Sequence, residues 1–191
     1  MAVIVLAGGG SRRMGRDKAL IELNGKPLIE HALERVSGLA EPILVVADRA
    51  DRYTLPGAIC VGDDMPGEGP LAGVVTGLRA AGAGAHLVVA CDMPHLQRDL
   101  MRTMLLSVSD FQVVAGRVDG HTMPLCAVYT QQVLRTAERL LETGERALRC
   151  VPEACKTRWL DEVELRQYDP DLLSYRNLNT PQDIRNWRET A

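Results

Sequence analysis

The sequence predicts an α/β protein, a single domain over residues 1–191 with a Rossmann-like, mostly parallel sheet covered by helices on both faces. Three observations predict it. Short continuous apolar runs recur along the chain, amphipathic stretches at helical spacing lie between them, and no linker breaks the alternation. Strands apolar at every position are buried on both faces, which requires helices on either side.

The elements follow in order. Val3–Leu6, Ile43–Val46, Ala58–Val61, Leu87–Cys91 and Val113–Ala115 read as buried strands. Leu28, Ile29, Ala32, Leu33 and Val36 recur at helical spacing, as do Leu71, Val74, Val75 and Leu78. Leu100, Met101, Met104 and Leu105 mark a third helical face, and Val133, Leu134, Ala137, Leu140 and Leu141 a fourth. Asp119-Gly120 is a turn signal, and Pro124–Tyr129 reads as an edge strand, where a residue without an N–H is tolerated. That hairpin leaves His121 exposed. Gly144-Glu145-Arg146 reads as a helix start, with Arg146 either solvated or turned toward an anionic ligand. Trp159 and Trp187 read as packing residues.

Composition narrows the classes. A chain of 191 residues buries an adequate core without staples. The net charge of −3 argues against a general nucleic-acid or anionic-membrane surface. Five scattered cysteines form no C-x-x-C pair; Cys60, Cys91 and Cys126 sit in apolar runs, Cys150 and Cys155 flank a turn, and all read as buried reduced thiols. The first apolar run is too short for a secretory h-region, and no run approaches membrane-spanning length. The expectation is a soluble, cytoplasmic protein.

Chemistry concentrates at the ends of the strands, where open α/β sheets bind ligands. After Val3–Leu6 come Ala7 and three glycines, Gly8, Gly9 and Gly10, then Arg12, Arg13 and Lys18. Bare backbone N–H groups followed by basic side chains suit a triphosphate. The spacing is neither a Walker loop, which needs Lys-Ser/Thr after its last glycine, nor G-x-G-x-x-G, which fails at Arg13. Asp92 ends the strand Leu87–Cys91; it either holds Mg²⁺ beside a phosphate or begins the turn before Pro94. The segment 61–73 is a Gly/Pro loop containing Asp63 and Asp64, with Pro70 suited to the first turn of a helix. In Asn177-Leu178-Asn179-Thr180-Pro181, Thr180 reads as a helix cap, while Asn177 and Asn179 alternate on an extended segment and point their amides one way.

The word Leu6-Ala7-Gly8-Gly9-x-Ser11-x-Arg13-Met14-Gly15-x-Asp17-Lys18-Ala19-Leu20 resembles the signature of the molybdenum cofactor guanylyltransferases, and Leu23-Asn24-Gly25-Lys26-Pro27-Leu28-Ile29 continues the likeness. Cys91-Asp92-x-Pro94, Gly69-Pro70-Leu71-Ala72-Gly73 and Asn177-x-Asn179-Thr180-Pro181 resemble later blocks of the same family. The resemblance implies a nucleotide-diphospho-sugar transferase-like fold. It implies transfer of GMP from GTP to the terminal phosphate of molybdenum-molybdopterin, with release of pyrophosphate.

The same resemblance assigns roles. Leu6, Ala7, Gly8, Gly9, Lys18, Asp63 and Asp92 would contact the nucleotide, with Asp92 as Mg²⁺ ligand. Lys18 and Arg13 would stabilise the leaving pyrophosphate, and Asn177 and Asn179 would face the acceptor. Its implied partners are GTP and molybdopterin, with transient contact to proteins that deliver molybdopterin or receive the cofactor. Three departures stand out. Val46 occupies a position often held by asparagine near the guanine, which leaves Asp48 as the nearby carboxylate. The loop 61–73 is one residue short, so Asp63 and Asp64 compete for one role, Asp63 being favoured. Met123 precedes Pro124 where a polar residue is usual. A cytidylyltransferase on the same pterin, or another small-molecule nucleotidyltransferase such as a sugar-nucleotide pyrophosphorylase, is the rival reading. A non-catalytic nucleotide-binding protein is a third, weakened by the presence of both Lys18 and Asp92.

Overall fold

The computed structural model describes residues 1–8, 17–178 and 182–184. The chain opens with β1 (Ala2–Leu6), passes a short hairpin of β2 (Glu22–Leu23) and β3 (Lys26–Pro27), and enters α1 (Leu28–Val36). It continues through β4 (Ile43–Ala47), β5 (Ile59–Gly62), α2 (Pro70–Ala81), β6 (Ala85–Ala90) and α3 (Arg98–Leu106). The last part comprises β7 (Val113–Val118), β8 (His121–Thr130), α4 (Leu134–Glu142), α5 (Cys150–Ala154), β9 (Thr157–Leu160) and α6 (Glu162–Arg166).

One seven-stranded sheet runs β5-β4-β1-β6-β8-β7-β9. Within it β8 alone is reversed, antiparallel to both β6 and β7. The expected mostly parallel α/β sheet is therefore present. Side chains alternate along β1, so Val3 and Val5 meet one layer while Ile4 and Leu6 meet the other. The first layer holds α1 and α3 through Ile29, Ala32, Val36, Leu100, Met101 and Met104. The second holds α2 and α4 through Leu71, Val74, Val75, Leu78, Ala137 and Leu141. The apolar stripes read from the sequence are the faces that pack.

Helix α2 lies unusually close to the sheet. A Cβ at Gly77 would stand 2.5 Å from Ile4 Cγ2, and one at Gly73 3.4 Å from Leu6 Cδ2. Pro70 sits in its first turn, as expected.

Besides Ala58–Val61, which forms the edge strand β5 with Ile59 exposed rather than a buried strand, three readings need correction. The strand containing Pro124 is not at an edge but lies between β6 and β7. Its register jumps from Val114↔Val128 to Gly116↔Met123, so residues 124–127 bulge against Ala115. In a bulge the proline owes no ladder hydrogen bond. The loop is held from within, since Tyr129 Oη donates to the Pro124 carbonyl at 2.6 Å. Second, Gly144-Glu145-Arg146 belong to the connection before α5, which starts only at Cys150. Third, Cys150 and Cys155 bracket that helix rather than a turn. All five thiols are free, yet only Cys91 and Cys126 are buried.

Beyond α6 the chain returns over the sheet. Buried Asp169 accepts the Leu173 and Ser174 N–H groups at 3.0 and 2.7 Å. The Ser174 hydroxyl accepts the Gln97 N–H at 2.9 Å, and Leu178 and Ile184 pack on Leu23 and Leu28. The tail is thus carried to the carboxyl ends of the strands.

Candidate active site

The sheet has a topological switch beside β1. The chain leaves β1 for β4 and β5 on one side, then crosses over to β6 on the other. In open α/β sheets the crevice at such a point, beyond the strand carboxyl ends, takes the ligand. Here it is flanked by the residues that follow β1 and β6.

Its floor is backbone. The Leu6 carbonyl accepts the Cys91 N–H at 3.0 Å, and the Ala7 N–H donates to the Val46 carbonyl at 2.9 Å. Leu6 turns its side chain into the core, so only its backbone belongs to the floor. Gly8 is exposed and passes beside Ala47 and Asp48. Gly9 and Arg13 lie outside the described residues.

Asp17 and Lys18 bring the chain back to the site. Asp17 caps a short 3-10 turn, Lys18–Leu20, by accepting the Ala19 N–H at 3.1 Å. Lys18 Nζ forms an ion pair with Asp92 Oδ2, linking the stretches after β1 and β6. Both side chains are mostly shielded, with 18% and 13% of their surface exposed. The other oxygen, Asp92 Oδ1, is buried and has no hydrogen-bond partner among the described residues. An ionised oxygen left without a donor is costly unless something else satisfies it.

That orphaned oxygen fits Mg²⁺, which takes hard oxygen ligands, commonly one or two carboxylates with substrate phosphates completing the shell. Among the described residues no cluster of three or more metal-ligating side chains exists, so a protein cage is excluded there and the one-carboxylate mode is what the donor set offers.

Sequence reading missed the group that fixes Asp17. Arg52 donates to Asp17 Oδ2 from Nη2 at 2.6 Å and from Nε at 3.1 Å. Tyr53 Oη lies 2.9 Å from the same oxygen and 3.1 Å from Oδ1. The hydrogen bond to Asp17 raises the Arg52 pKa, and burial, reinforced by Asp17, raises that of the Tyr53 phenol. Both stay protonated as donors. The available signal was the Arg-Tyr pair shortly after a buried strand, but nothing in the sequence paired it with Asp17. Beneath the site the Cys91 thiol is pushed up by burial and then by the adjoining Asp92, which leaves it neutral.

Asn177 joins the same edge, because the next residue, Leu178, donates its N–H to the Asp92 carbonyl at 3.0 Å. Asn179 and the Thr180 cap lie outside the described residues, as does Trp187.

Asp63 and Asp64 diverge. Asp63 follows β5, donates its N–H to the Ala47 carbonyl at 2.7 Å and accepts from Thr76 Oγ1 at 2.9 Å and the Met65 N–H at 3.0 Å. It stands two strands from β1, roughly 10 Å away at normal strand spacing. Asp64 pairs with Arg79 on α2 at 2.9 Å. The Val46 side chain is buried against α2, and its carbonyl is already used by Ala7. It therefore offers a base nothing polar. Asp48 is half exposed and lies 3.7 Å from Arg52.

Of the remaining candidates, His121 is exposed at the start of β8, as the hairpin reading expects. Arg146 is exposed, as the solvated reading expects, yet it is held at the surface. It pairs with Glu68 through Nε and donates Nη1 to the Leu141 and Glu145 carbonyls at 3.0 and 2.9 Å. Trp159 is partly buried beneath the Arg117 guanidinium, 4.1 Å from its ring centroid.

A doubly wound sheet with a glycine-rich sequence after its first strand, and a lysine–aspartate pair across the switch point, defines a nucleotidyltransferase class of protein. Residues 3–158 match the MobA-like NTP transferase domain, and the chain belongs to that family. It is 33% identical to the molybdenum cofactor guanylyltransferase of Desulfosudis oleivorans, over 95% of this chain and 91% of that protein. Identity to the probable molybdenum cofactor guanylyltransferase of Chloroflexus aggregans is 35%, over 97% and 92% of the two chains. Among solved structures, molybdopterin-guanine dinucleotide biosynthesis protein A from Archaeoglobus fulgidus superposes with a TM-score of 0.85 at 29% identity, covering 100% of this chain and 98% of that one. The 2-C-methyl-D-erythritol 4-phosphate cytidylyltransferase of Thermus thermophilus shares the fold at 18% identity and a TM-score of 0.72, covering 99% and 97%.

Proposed function

We propose that this protein is a molybdenum cofactor guanylyltransferase, moving GMP from GTP to the terminal phosphate of molybdenum-molybdopterin with release of pyrophosphate. The observation that carries the reading is the Lys18–Asp92 pair across the switch point, with one buried Asp92 oxygen unsatisfied among the described residues. The curated relatives named for this activity support the choice of nucleotide and acceptor.

In this mechanism an acceptor phosphate oxygen attacks the α-phosphorus, and the bond to the pyrophosphate oxygen breaks. Phosphoryl-type transfer asks the protein mainly for positioning and charge stabilisation. Asp92 would hold Mg²⁺, which when bound would supply charge neutralisation for the transfer. Lys18, drawn off Asp92 by the triphosphate, stabilises the negative charge that grows on the departing pyrophosphate. Arg13 adds to that stabilisation, and the N–H groups of Gly8 and Gly9 hold phosphate oxygens where no side chain intervenes. Asp63 holds the nucleotide from the β5 side. Asn177 and Asn179 orient the acceptor from the tail. The nucleophile is ionised near neutral pH, so no general base is required.

We place its work in the cytoplasm, without nucleic acid and with passing contact to proteins that deliver molybdopterin or take up the product. Among the described residues, no helix is long and apolar enough to cross a membrane. Val46, apolar and buried, keeps cytidylyl transfer as the second reading.

The test is pyrophosphate release with Mg²⁺ and molybdenum-loaded molybdopterin, offering GTP, CTP, ATP and UTP in parallel. Release with GTP alone is expected. Release with CTP alone moves the protein to the cytidylyl reading, and silence with all four removes the transfer reading.

A further inference from the structure

We propose that Arg52 and Tyr53 are positioning residues for the transfer: by holding Asp17 they fix the stem from which Lys18 reaches the reacting phosphates. The inference rests on the role proposed for Lys18 and adds to it a pair of residues from a different part of the chain.

The geometry converges on a single carboxylate. Asp17 receives Arg52 Nη2 at 2.6 Å, Arg52 Nε at 3.1 Å, the Tyr53 hydroxyl at 2.9 Å and its own turn's Ala19 N–H at 3.1 Å. Both oxygens are engaged, and the Asp17 side chain is only 16% exposed. Arg52 also faces Asp48, but at 3.7 Å, so Asp17 is its principal partner. Charge-assisted bonds from a rigid planar fork and a phenol give a carboxylate one orientation.

What they orient is the next residue. The turn carrying Lys18 is closed by Asp17, through Leu20 N–H to the Asp17 carbonyl at 3.2 Å and Ala19 N–H to its side chain. From that turn Lys18 extends to Asp92, 74 residues away in sequence. The anchor comes from the bend after β4, 35 positions beyond Asp17. Without it the turn that carries the lysine loses its fixed point, and an ammonium displaced by about 1 Å loses much of its effect on a developing charge.

An ordinary surface ion pair and a positioning pair predict different kinetics. If Arg52 acts through Lys18, its loss lowers kcat more than it changes KM, because the ammonium is needed most where charge builds in the transition state. Arg52→Met should lower kcat about ten- to a hundredfold, and Tyr53→Phe a few-fold. Arg52→Lys should recover part of the loss, since an ammonium replaces one of the two guanidinium bonds.

The experiment is a double-mutant cycle of Arg52→Met with Lys18→Ala, with rates expressed per folded protein and Tm measured alongside. Asp17→Asn, whose bonds to Arg52 lose their charge, serves as a second route to the same anchor. The expected result is that Arg52→Met costs almost nothing in the Lys18→Ala background. The same fold-loss in both backgrounds overturns the proposal, as does a lower Tm with kcat per folded molecule unchanged. If Lys18→Ala alone leaves transfer intact, the catalytic role of Lys18 falls and the positioning role with it.

Discussion

The two oxygens of Asp92 differ in their surroundings, and the difference predicts what its variants do. Oδ2 is held by Lys18, while Oδ1 is buried with no partner among the described residues. Asp92→Asn keeps the shape and removes the charge that a cation needs. Transfer should fall by roughly 10²–10³-fold or more, the scale seen when one electrostatic stabiliser is lost. Tm should barely move, because the substitution relieves an unsatisfied charge as it weakens the ion pair. Normal Mg²⁺-dependent turnover in that variant would remove the metal assignment. At this scale the sequence was legible where a residue ends a buried strand: Lys18 and Asp92 announce themselves by following apolar runs into loops. Arg52 and Tyr53 did not, because their meaning depends on β4 lying next to β1, which local patterning does not encode. Asp63 could be favoured over Asp64 but not separated from it for the same reason, since what sets them apart is Thr76 and Arg79 on the neighbouring helix.

Elements stand or fall by how closely they can approach. Gly77→Ala would drive a methyl to 2.5 Å from Ile4 and push α2 off the sheet. Overpacking of this kind costs about 1–3 kcal/mol. For a protein of this size that lowers Tm by roughly 2–12 °C, readable by thermal denaturation. β6 supplies a pH-dependent contact. His86 is buried; its Nδ1 accepts the Ala2 N–H at 3.1 Å, so the proton on Nε2 goes to the Gly82 carbonyl, 3.0 Å away. Burial lowers its pKa, and burial followed by Arg35 and Arg176 lowers that of His95. The unfolded chain therefore binds more protons below about pH 6.5, the free histidine value. Stability from these rings is complete above that pH and is lost as pH falls toward their folded values. Tm should drop between pH 7 and 5, and His86→Gln should flatten part of the slope; a flat wild-type profile would refute this. The helical stripes and most of the buried strands were readable because their periods are local, but the edge position of β5, which exposes Ile59, depends on topology. The strand holding Pro124 was misassigned because a proline signals an edge unless a bulge absorbs it, and the bulge depends on β7.

The whole molecule assembles its site from distant stretches. Gly8, Lys18, Asp63, Asp92 and Asn177 reach one sheet edge from nearly the full length of the chain, and the tail closes it through the Leu178–Asp92 backbone bond. The α/β class and the reaction edge were legible from alternation and strand ends; the reversal of β8 and the tail's path over β6 are properties of topology alone. The central place of β1 has a consequence for the protein's synthesis. Every one of its residues is apolar and buried, and it takes one neighbour from residues 43–47 and the other from residues 85–90. β1 is made before either neighbour and is flanked on both sides only once residue 90 has been added. At roughly 5–20 residues added per second, its second edge waits several seconds for a partner, as a bare hydrophobic template. The nascent chain is most exposed to mispairing in that interval, and a chaperone that shields the first few residues would protect the future centre of the sheet.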